Sequence, residues 1–433
     1  MKKTPLESWT DEKIKPYSQL RSYQLAKLKE TVGHAKAHSP FYRWRLAGYC
    51  EEDIGSLEDF KSLPFTTGAD LATDPLRFLA VSQDEIKRIV TLETSGTTGL
   101  GKRVFFTEAD LESTIDFFQW GMSTLVERGD KVLILLPGER PGGVGDLLAQ
   151  GLSKMGATPI PHGPITDFGQ MAALITRKGI TSLVGIPTQV LGLARYIEAL
   201  SPTFQSPLRS MLLTTDYVSP ALLNFVENIF TCRVFNHYGM TEMGFGGGVD
   251  CAARGGYHLR EVDLYWEIVD PTTGTPVSPG TRGEIVFSTL TRRGMPLIRY
   301  KTGDEAHFVA ESCPCRTYLQ RIAYVKDRLP GRIALPEGDS LSLSQLDDIL
   351  FSLPHVADFD ATVYFNATNV GIELILYLPL PPPTGFLHQT REAVLGTLPS
   401  ISQLFLEARV ITCPRPVGKR MLKWGNFLLP TRN

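Results

Sequence analysis

The order of apolar and polar positions changes character three times along this 433-residue chain. Between residues 19 and 38, Leu25, Leu28, Val32 and Ala35 recur at three- and four-residue spacing. That pattern predicts an amphipathic helix ending near Ser39-Pro40. From about residue 88, short apolar runs alternate with helical periodicity. RIVTLET and RVFFT are two strands joined by a Gly-rich hairpin, and KVLILLP (131–137) is a strand followed by a turn and the helical DLLAQGLSKMG. TSLVGIP (181–187) leads into the helix-like QVLGLARYIEAL, and SMLLTTD (210–216) and CRVFNHYG (232–239) flank a further helical segment. Such alternation predicts a mostly parallel sheet with helices on its faces.

Beyond residue 258 the periodicity shortens. LYWEIVD, GTPVSPGTRG, EIVFSTL and LIRYKTGDEAHFV are expected as short strands separated by Pro/Gly turns. KDRLPGR (326–332) interrupts the pattern with charge, proline and glycine and marks a hinge. After it, DATVYF, GIELILYL and ARVIT are strands and REAVLGTL is a helix, while LPLPPPTG (378–385) is a stiff loop. The expected fold is α/β: a large domain over 1–326, with parallel sheets, flanking helices and a β subdomain, and a small α+β domain over 327–433.

Composition narrows the class without naming a chemistry. Hydrophobic residues at 42% and charged residues at 21% provide for sizeable cores, and a formal net charge of -2 leaves no basic excess for nucleic acid. MKKTPLESWTDEKIK has no apolar run behind its lysines, so it is not a secretory signal. No apolar stretch approaches the ~18 residues of a membrane span. Six cysteines in so long a chain fit a reducing cytoplasm better than a disulfide framework.

The chemistry begins at ETSGTTGLGKRVFF (93–106). Gly96 to Gly101-Lys102 has Walker-loop spacing, but Arg103 stands where the magnesium-binding hydroxyl belongs, and a strand follows where a helix should start. The stretch is instead a hairpin loop whose backbone N–H groups, hydroxyls and Lys102 can wrap a polyphosphate. A solvated turn is the bland alternative, and the hydroxyl density exceeds what a turn requires. PGGVGDLLAQGL (141–152) is a poor dinucleotide fingerprint because its third glycine is out of place.

Downstream, Tyr238-Gly-Met-Thr-Glu242 and Tyr300-Lys-Thr-Gly-Asp304 follow Ser95-Gly-Thr-Thr-Gly99 and Lys102 in order. Together these resemble the core motifs of the adenylate-forming acyl-CoA synthetase superfamily, and most of all its short phenylacetate–CoA ligase branch. The resemblance covers nearly the whole chain. It implies an acid ligase that uses ATP and Mg2+ to make an acyl-adenylate and pyrophosphate, and then a thioester with coenzyme A. It also implies roles for residues. Ser95, Gly96, Thr97, Thr98 and Gly99, with Lys102, would cover the β- and γ-phosphates. Glu242 would ligate magnesium and Thr241 would bond the α-phosphate region. Tyr238 and Gly239 would lie near adenine, Asp304 would accept from the ribose hydroxyls, and Arg321 would assist there. Asp327 matches the hinge of a mobile lid domain, and Lys419, after Gly418, matches the lysine that lid carries to the carboxylate. His237 is expected at the substrate or nucleotide, with a satisfied strand-end histidine as the plain alternative.

A second constellation is Cys251 with His258, and Cys313-Pro-Cys315 about sixty residues on. Three thiolates and one imidazole suit tetrahedral Zn2+ with no open position, which makes the role structural. The same branch has members with this pattern, and buried free thiols are the alternative. Cys50, Cys232 and Cys413 fit no metal pattern and are expected in the core.

The chain departs from the branch at DRLPGRIALPEGDSLS after the hinge and at TTDYVSP (214–220) in the acyl-pocket segment, so the acid is not carried over. Four readings remain: an acid–CoA ligase acting on a small carboxylic acid, an adenylating enzyme serving a carrier protein, protein or amine, a silent nucleotide-binding homologue and, a distant fourth, a nicotinamide-dependent oxidoreductase. A homodimer is compatible with the sequence.

Overall fold

A computed structural model describes residues 5–14, 19–92, 101–138, 140–200, 203–335, 339–365, 370–411, 414–415 and 420–425. Among them no helix is long and apolar enough to cross a membrane. The chain is mixed α/β and forms two compact units, one of residues 1–129, 138–159 and 235–325, the other of 130–137, 160–234 and 326–433.

The first unit is built on the helix Leu20–His38, on the antiparallel pair Ile86–Leu92 and Lys102–Thr107, and on the antiparallel sheet Leu264–Val269, Gly283–Thr289 and Tyr300–Ala306. The helix occupies the predicted span and buries Leu28, Val32 and Ala35, the stripe legible in its spacing. Every residue of Gly283–Thr289 is buried, as befits the central strand of that sheet. A capping box of Thr107 and Asp110 ends the second hairpin strand and starts the helix Glu108–Met122. One strand expectation fails. GTPVSPGTRG forms only an isolated bridge between Pro276 and Val269 and otherwise turns the chain. Its glycines and prolines cannot sustain a ladder.

The second unit holds parallel strands Lys131–Ile134, Ser182–Gly185 and Ser210–Leu213, each with a helix after or between them as the alternation predicts. Asp167 caps the helix Phe168–Lys178 at its start and left-handed Gly179 closes it. Its C-terminal part is a four-stranded sheet in the order Gln403–Val410, Val370–Leu378, Asp358–Phe365, Lys423–Gly425, with helices Leu343–Leu350 and Phe386–Thr397. A single hydrophobic cluster runs from Leu133 and Leu183 through Val190 and Leu222 to Leu346, Val363 and Leu374. Cys232 is buried as expected, Cys413 lies outside the described residues, and Cys50 is exposed rather than in the core, at the turn that starts the short helix Glu51–Asp53.

Candidate active site

Lys102 opens the second strand of the hairpin, opposite Leu92. Gly101 makes that closure possible, because a Cβ there would lie 2.9 Å from the Leu92 carbonyl oxygen. Residues 93–100, including Ser95, Gly96, Thr97, Thr98 and Gly99, lie outside the described residues. The Lys102 ammonium donates to Glu242 Oε1 at 2.6 Å, and the Tyr300 hydroxyl donates to the same oxygen at 3.0 Å. Lys102 Nζ is also 3.4 Å from the Tyr300 oxygen. Glu242 is only 2% exposed, so a buried carboxylate carries a cation and a phenol on one oxygen.

Glu242 arrives there by a tight return of the chain. The strand Arg233–Tyr238 ends, Thr241–Met243 makes one 3-10 turn, and Gly244 and Phe245 at φ 73° and 66° send the backbone back. Phe245 N bonds Met240 O at 2.9 Å and Gly247 N bonds Tyr238 O at 2.9 Å. A Cβ on Gly239 would meet Phe245 O at 2.2 Å, so only glycine admits this crossing. Thr241 opens the turn, and its carbonyl accepts from Gly244 N.

Tyr238 and Asp304 meet directly. The tyrosine hydroxyl donates to Asp304 Oδ2 at 2.8 Å, and both residues are buried. The Tyr238 ring packs 5.7 Å from Tyr257 and 6.4 Å from Trp266, centroid to centroid. His237 is half-buried beside Phe117 with its Nε2 enclosed, and burial pushes its pKa down to about 4, so the imidazole is neutral at physiological pH. Its Cε1 would lie 2.9 Å from a Cβ on Gly239, which puts the ring against the return loop.

Arg321 joins a different group. Its guanidinium donates to Gly255 O and Glu311 O, both at 2.6 Å, and its strand pairs Arg321 with His258. That strand brings together Cys251, His258, Cys313 and Cys315, whose ligand atoms all lie within 4.8 Å of one another. Cys251 Sγ is 3.6 Å from Cys313 Sγ, too far for a disulfide, and Cys315 Sγ is 3.4 Å from His258 Nε2. Burial and the nearby Arg321 charge hold His258 down to about 4, in the neutral form that a metal requires. Burial pushes the Cys251 thiol up to about 12.

In the second unit Asp327 bonds the Ser344 hydroxyl at 2.5 Å and Arg332 at 3.2 Å. Lys419 lies outside the described residues; its neighbour Arg420 is 8% exposed and grips Asp347 through both terminal nitrogens, at 2.7 and 3.1 Å.

Two residues of the site went unassigned from sequence. Tyr300 stands first in YKTGD, so the motif contained it but gave its phenol no role. Arg292 carried no signal: it lies just beyond the strand Gly283–Thr289, fifty residues from Glu242, yet donates to the Glu242 carbonyl at 2.7 Å.

Three comparisons place the chain. Residues 79–291 match the family model described as AMP-binding enzyme. The chain is 31% identical over 366 residues to a phenylacetate-coenzyme A ligase of Pseudomonas putida, covering 82% of this chain and 81% of that one. It is 30% identical over 350 residues to a phenylacetate-coenzyme A ligase of Thermus thermophilus, covering 79% and 77%. In structure it resembles a 2-hydroxyisobutyryl-CoA ligase in complex with 2-HIB-AMP, with a TM-score of 0.80 at 20% identity over 94% of this chain and 89% of that one. The chain belongs to the adenylate-forming family of AMP-binding enzymes, in its phenylacetate–CoA ligase-like branch. It is an ATP-dependent acid–CoA ligase of the AMP-forming kind, which makes an acyl-adenylate and then the thioester.

Proposed function

We propose that the acid is a small aryl carboxylic acid of the phenylacetate type, adenylated at the group formed by Lys102, Glu242, Tyr300, Tyr238 and Asp304. The observation that carries this reading is the convergence of Lys102 and Tyr300 on one oxygen of buried Glu242. The curated relatives are named for phenylacetate, which supports an aryl acid.

Attack of a carboxylate on the α-phosphate brings two anions together, so the site must supply fixed positive charge. Lys102 is such a charge. In the structure Glu242 holds it, and in the nucleotide complex the ammonium moves to the phosphates covered by the Ser95–Gly99 loop. Glu242, a carboxylate already accommodating a cation, fits Mg2+, which when bound would offset phosphate charge. Asp304 leaves the Tyr238 hydroxyl for the ribose, and Thr241 reaches the α-phosphate side of the turn. Neutral His237 lies behind Gly239 and shapes the pocket wall without adding charge. Lys419 supplies the last cation from a lid of residues 327–433 turning about Asp327, and coenzyme A enters after that turn. Arg321, drawn into the cysteine group, supports the ribose side only through its strand.

The Cys251, His258, Cys313 and Cys315 group fits Zn2+: its donor set is Cys₃His, its atoms are within reach of one ion, and it is largely buried. With four protein ligands the ion would fold the lobe and take no part in the chemistry. Retained thiols suit the cytoplasm.

The test measures ATP-dependent pyrophosphate release over a panel of aryl and fatty acids, with and without coenzyme A. Release with phenylacetate-type acids that rises strongly with coenzyme A is expected; preference for fatty acids overturns the aryl assignment. Lys419→Ala should lower acid-dependent release at least about a hundredfold, the scale on which a single electrostatic group contributes to acyl or phosphoryl transfer. Unchanged release would remove Lys419 from the mechanism.

A further inference from the structure

The return loop between Tyr238 and Gly247 is held from behind by three side chains of other segments. Arg292 Nη1 donates to Glu242 O at 2.7 Å, Thr114 Oγ1 to Gly244 O at 3.1 Å, and Arg260 Nη1 to Gly246 O at 3.4 Å. Successive alternate carbonyls therefore each have a donor from outside the loop. Only Arg292 reaches the peptide of Glu242 itself.

Arg292 is placed for that contact by packing. It is 8% exposed, and its guanidinium lies 4.9 Å from the Phe106 ring centroid. Phe106 stacks in turn on Phe245 of the loop, at 5.6 Å and 14°. A Cβ on Gly244 would come within 2.9 Å of Arg292 Nη2, so glycine opens the space the guanidinium fills. Arg292 thus touches the turn at Glu242, passes Gly244 and reaches Phe245 through one ring.

A buried guanidinium is costly unless compensated, and a neutral side chain would fill the same volume without that cost. The compensation present is Asp110, Glu242 and Asp263, with Arg260 opposing. Asp110 is itself fixed by the Thr107 and Arg293 backbone N–H groups, at 2.9 and 3.2 Å. The charge is therefore built in, behind the residue whose carboxylate faces Lys102.

We propose that Arg292 is a positioning residue for the adenylation step. It sets the Glu242 peptide and so the direction of the Glu242 carboxylate, and its fixed charge supports that carboxylate when the Lys102 ammonium moves to the nucleotide phosphates. The inference rests on the proposed role of Glu242 as the cation ligand.

Arg292→Met and Arg292→Lys test it against Thr114→Val, which removes a bond to the same loop without changing charge. Two readouts apply to the full-length enzyme. One is Mn2+ binding in the presence of ATP without acid, followed by electron paramagnetic resonance. The other is acid-dependent pyrophosphate release at saturating ATP. Arg292→Met should weaken Mn2+ binding and slow release by about tenfold or more each, with the KM for the acid unchanged, as loss of a charged buried hydrogen bond implies. Arg292→Lys should restore Mn2+ binding to within about threefold but not the rate, because one ammonium keeps the charge without the fork that fixes the peptide. Thr114→Val should change either readout by less than about threefold.

Wild-type behaviour of Arg292→Met, or equal losses in Arg292→Met and Thr114→Val, overturns the proposal. If Arg292→Met fails to fold, a wild-type rate in Arg292→Lys overturns it alone. Glu242→Gln separates the two levels. Unchanged Mn2+ binding in Glu242→Gln defeats the role of Glu242 itself, whereas loss there with none in Arg292→Met defeats only the inference.

Discussion

Lys102, Tyr300 and Glu242 form a small electrostatic problem with one solution on display. The carboxylate is buried, and the ammonium and phenol share one of its oxygens at 2.6 and 3.0 Å. The phenol has a different job from the lysine. In the proposed adenylation step it remains on Glu242 when Lys102 moves to phosphate, so it keeps one lone pair occupied and the carboxylate oriented. Tyr300→Phe should lower acid-dependent pyrophosphate release by about tenfold to a hundredfold, the range for deleting a hydrogen bond to a charged group. Its melting temperature should stay close to that of the parent, because the ring still packs 5.4 Å from Phe287. A rate within about twofold of the parent would show that the hydroxyl only fills space. At this scale the sequence was informative where a motif keeps its residues in one stretch: Glu242 within YGMTE, Lys102 after the glycines. It was silent on which residues meet. Lys102 and Glu242 are 140 positions apart, and Arg292 has no motif to announce it. Arg321 shows the converse, since strand pairing with His258 decides its surroundings and that pairing is not encoded locally.

Among elements, the hairpin, the return loop and the cysteine lobe carry the site, and each owes its shape to glycine or to pairing. The hairpin strands were legible from their apolar alternation, and the loop's need for Gly239 and Gly244 became clear only from the backbone crossing. GTPVSPGTRG was misjudged because Thr and Val have strand propensity while its prolines and glycines forbid a ladder. Cys251 precedes the Tyr257–Leu259 strand and His258 stands at its centre, while Cys313 and Cys315 lie on a segment with little regular structure before Arg321. If Zn2+ joins them, its removal should unfold the lobe. Purified protein should contain about one zinc per chain, and a strong chelator should lower the melting temperature by about 5 °C or more. Cys313→Ser should reproduce that loss without altering the affinity for ATP by more than a few-fold. A melting curve indifferent to chelator, in protein without bound zinc, would leave three packed free thiols beside a buried histidine.

At the scale of the molecule, the chain order and the packing order differ. The charged, Pro/Gly-rich stretch at 326–332 was visible as an interruption, but the packing partner of the C-terminal segment beyond it was not, because apolar faces carry no address. In the structure, residues 326–433 share one compact unit and one hydrophobic cluster with 130–137 and 160–234. Polar contacts reinforce that packing. Arg195, on the helix Pro187–Leu200, donates to Phe351 O at 3.3 Å and Leu353 O at 3.0 Å, capping the end of the helix Leu343–Leu350. Its guanidinium lies 3.7 Å from the Phe225 ring centroid, and Tyr217 donates to Asp348 at 3.0 Å on the same helix. If the proposed lid turns about Asp327 between the two half-reactions, these bonds have to be released before thioester formation and remade for adenylation. Arg195→Met should therefore act on the halves unequally. Acid-dependent pyrophosphate release should fall by about tenfold, since a buried and a half-buried carbonyl lose a charged donor. Thioester formation from supplied acyl-adenylate and coenzyme A should be unchanged or faster, because the arrangement it leaves is the one weakened. Equal losses in both halves, tracking a lowered melting temperature, would mean that the Arg195 contacts persist through the whole cycle, and that the turning body does not begin at Asp327.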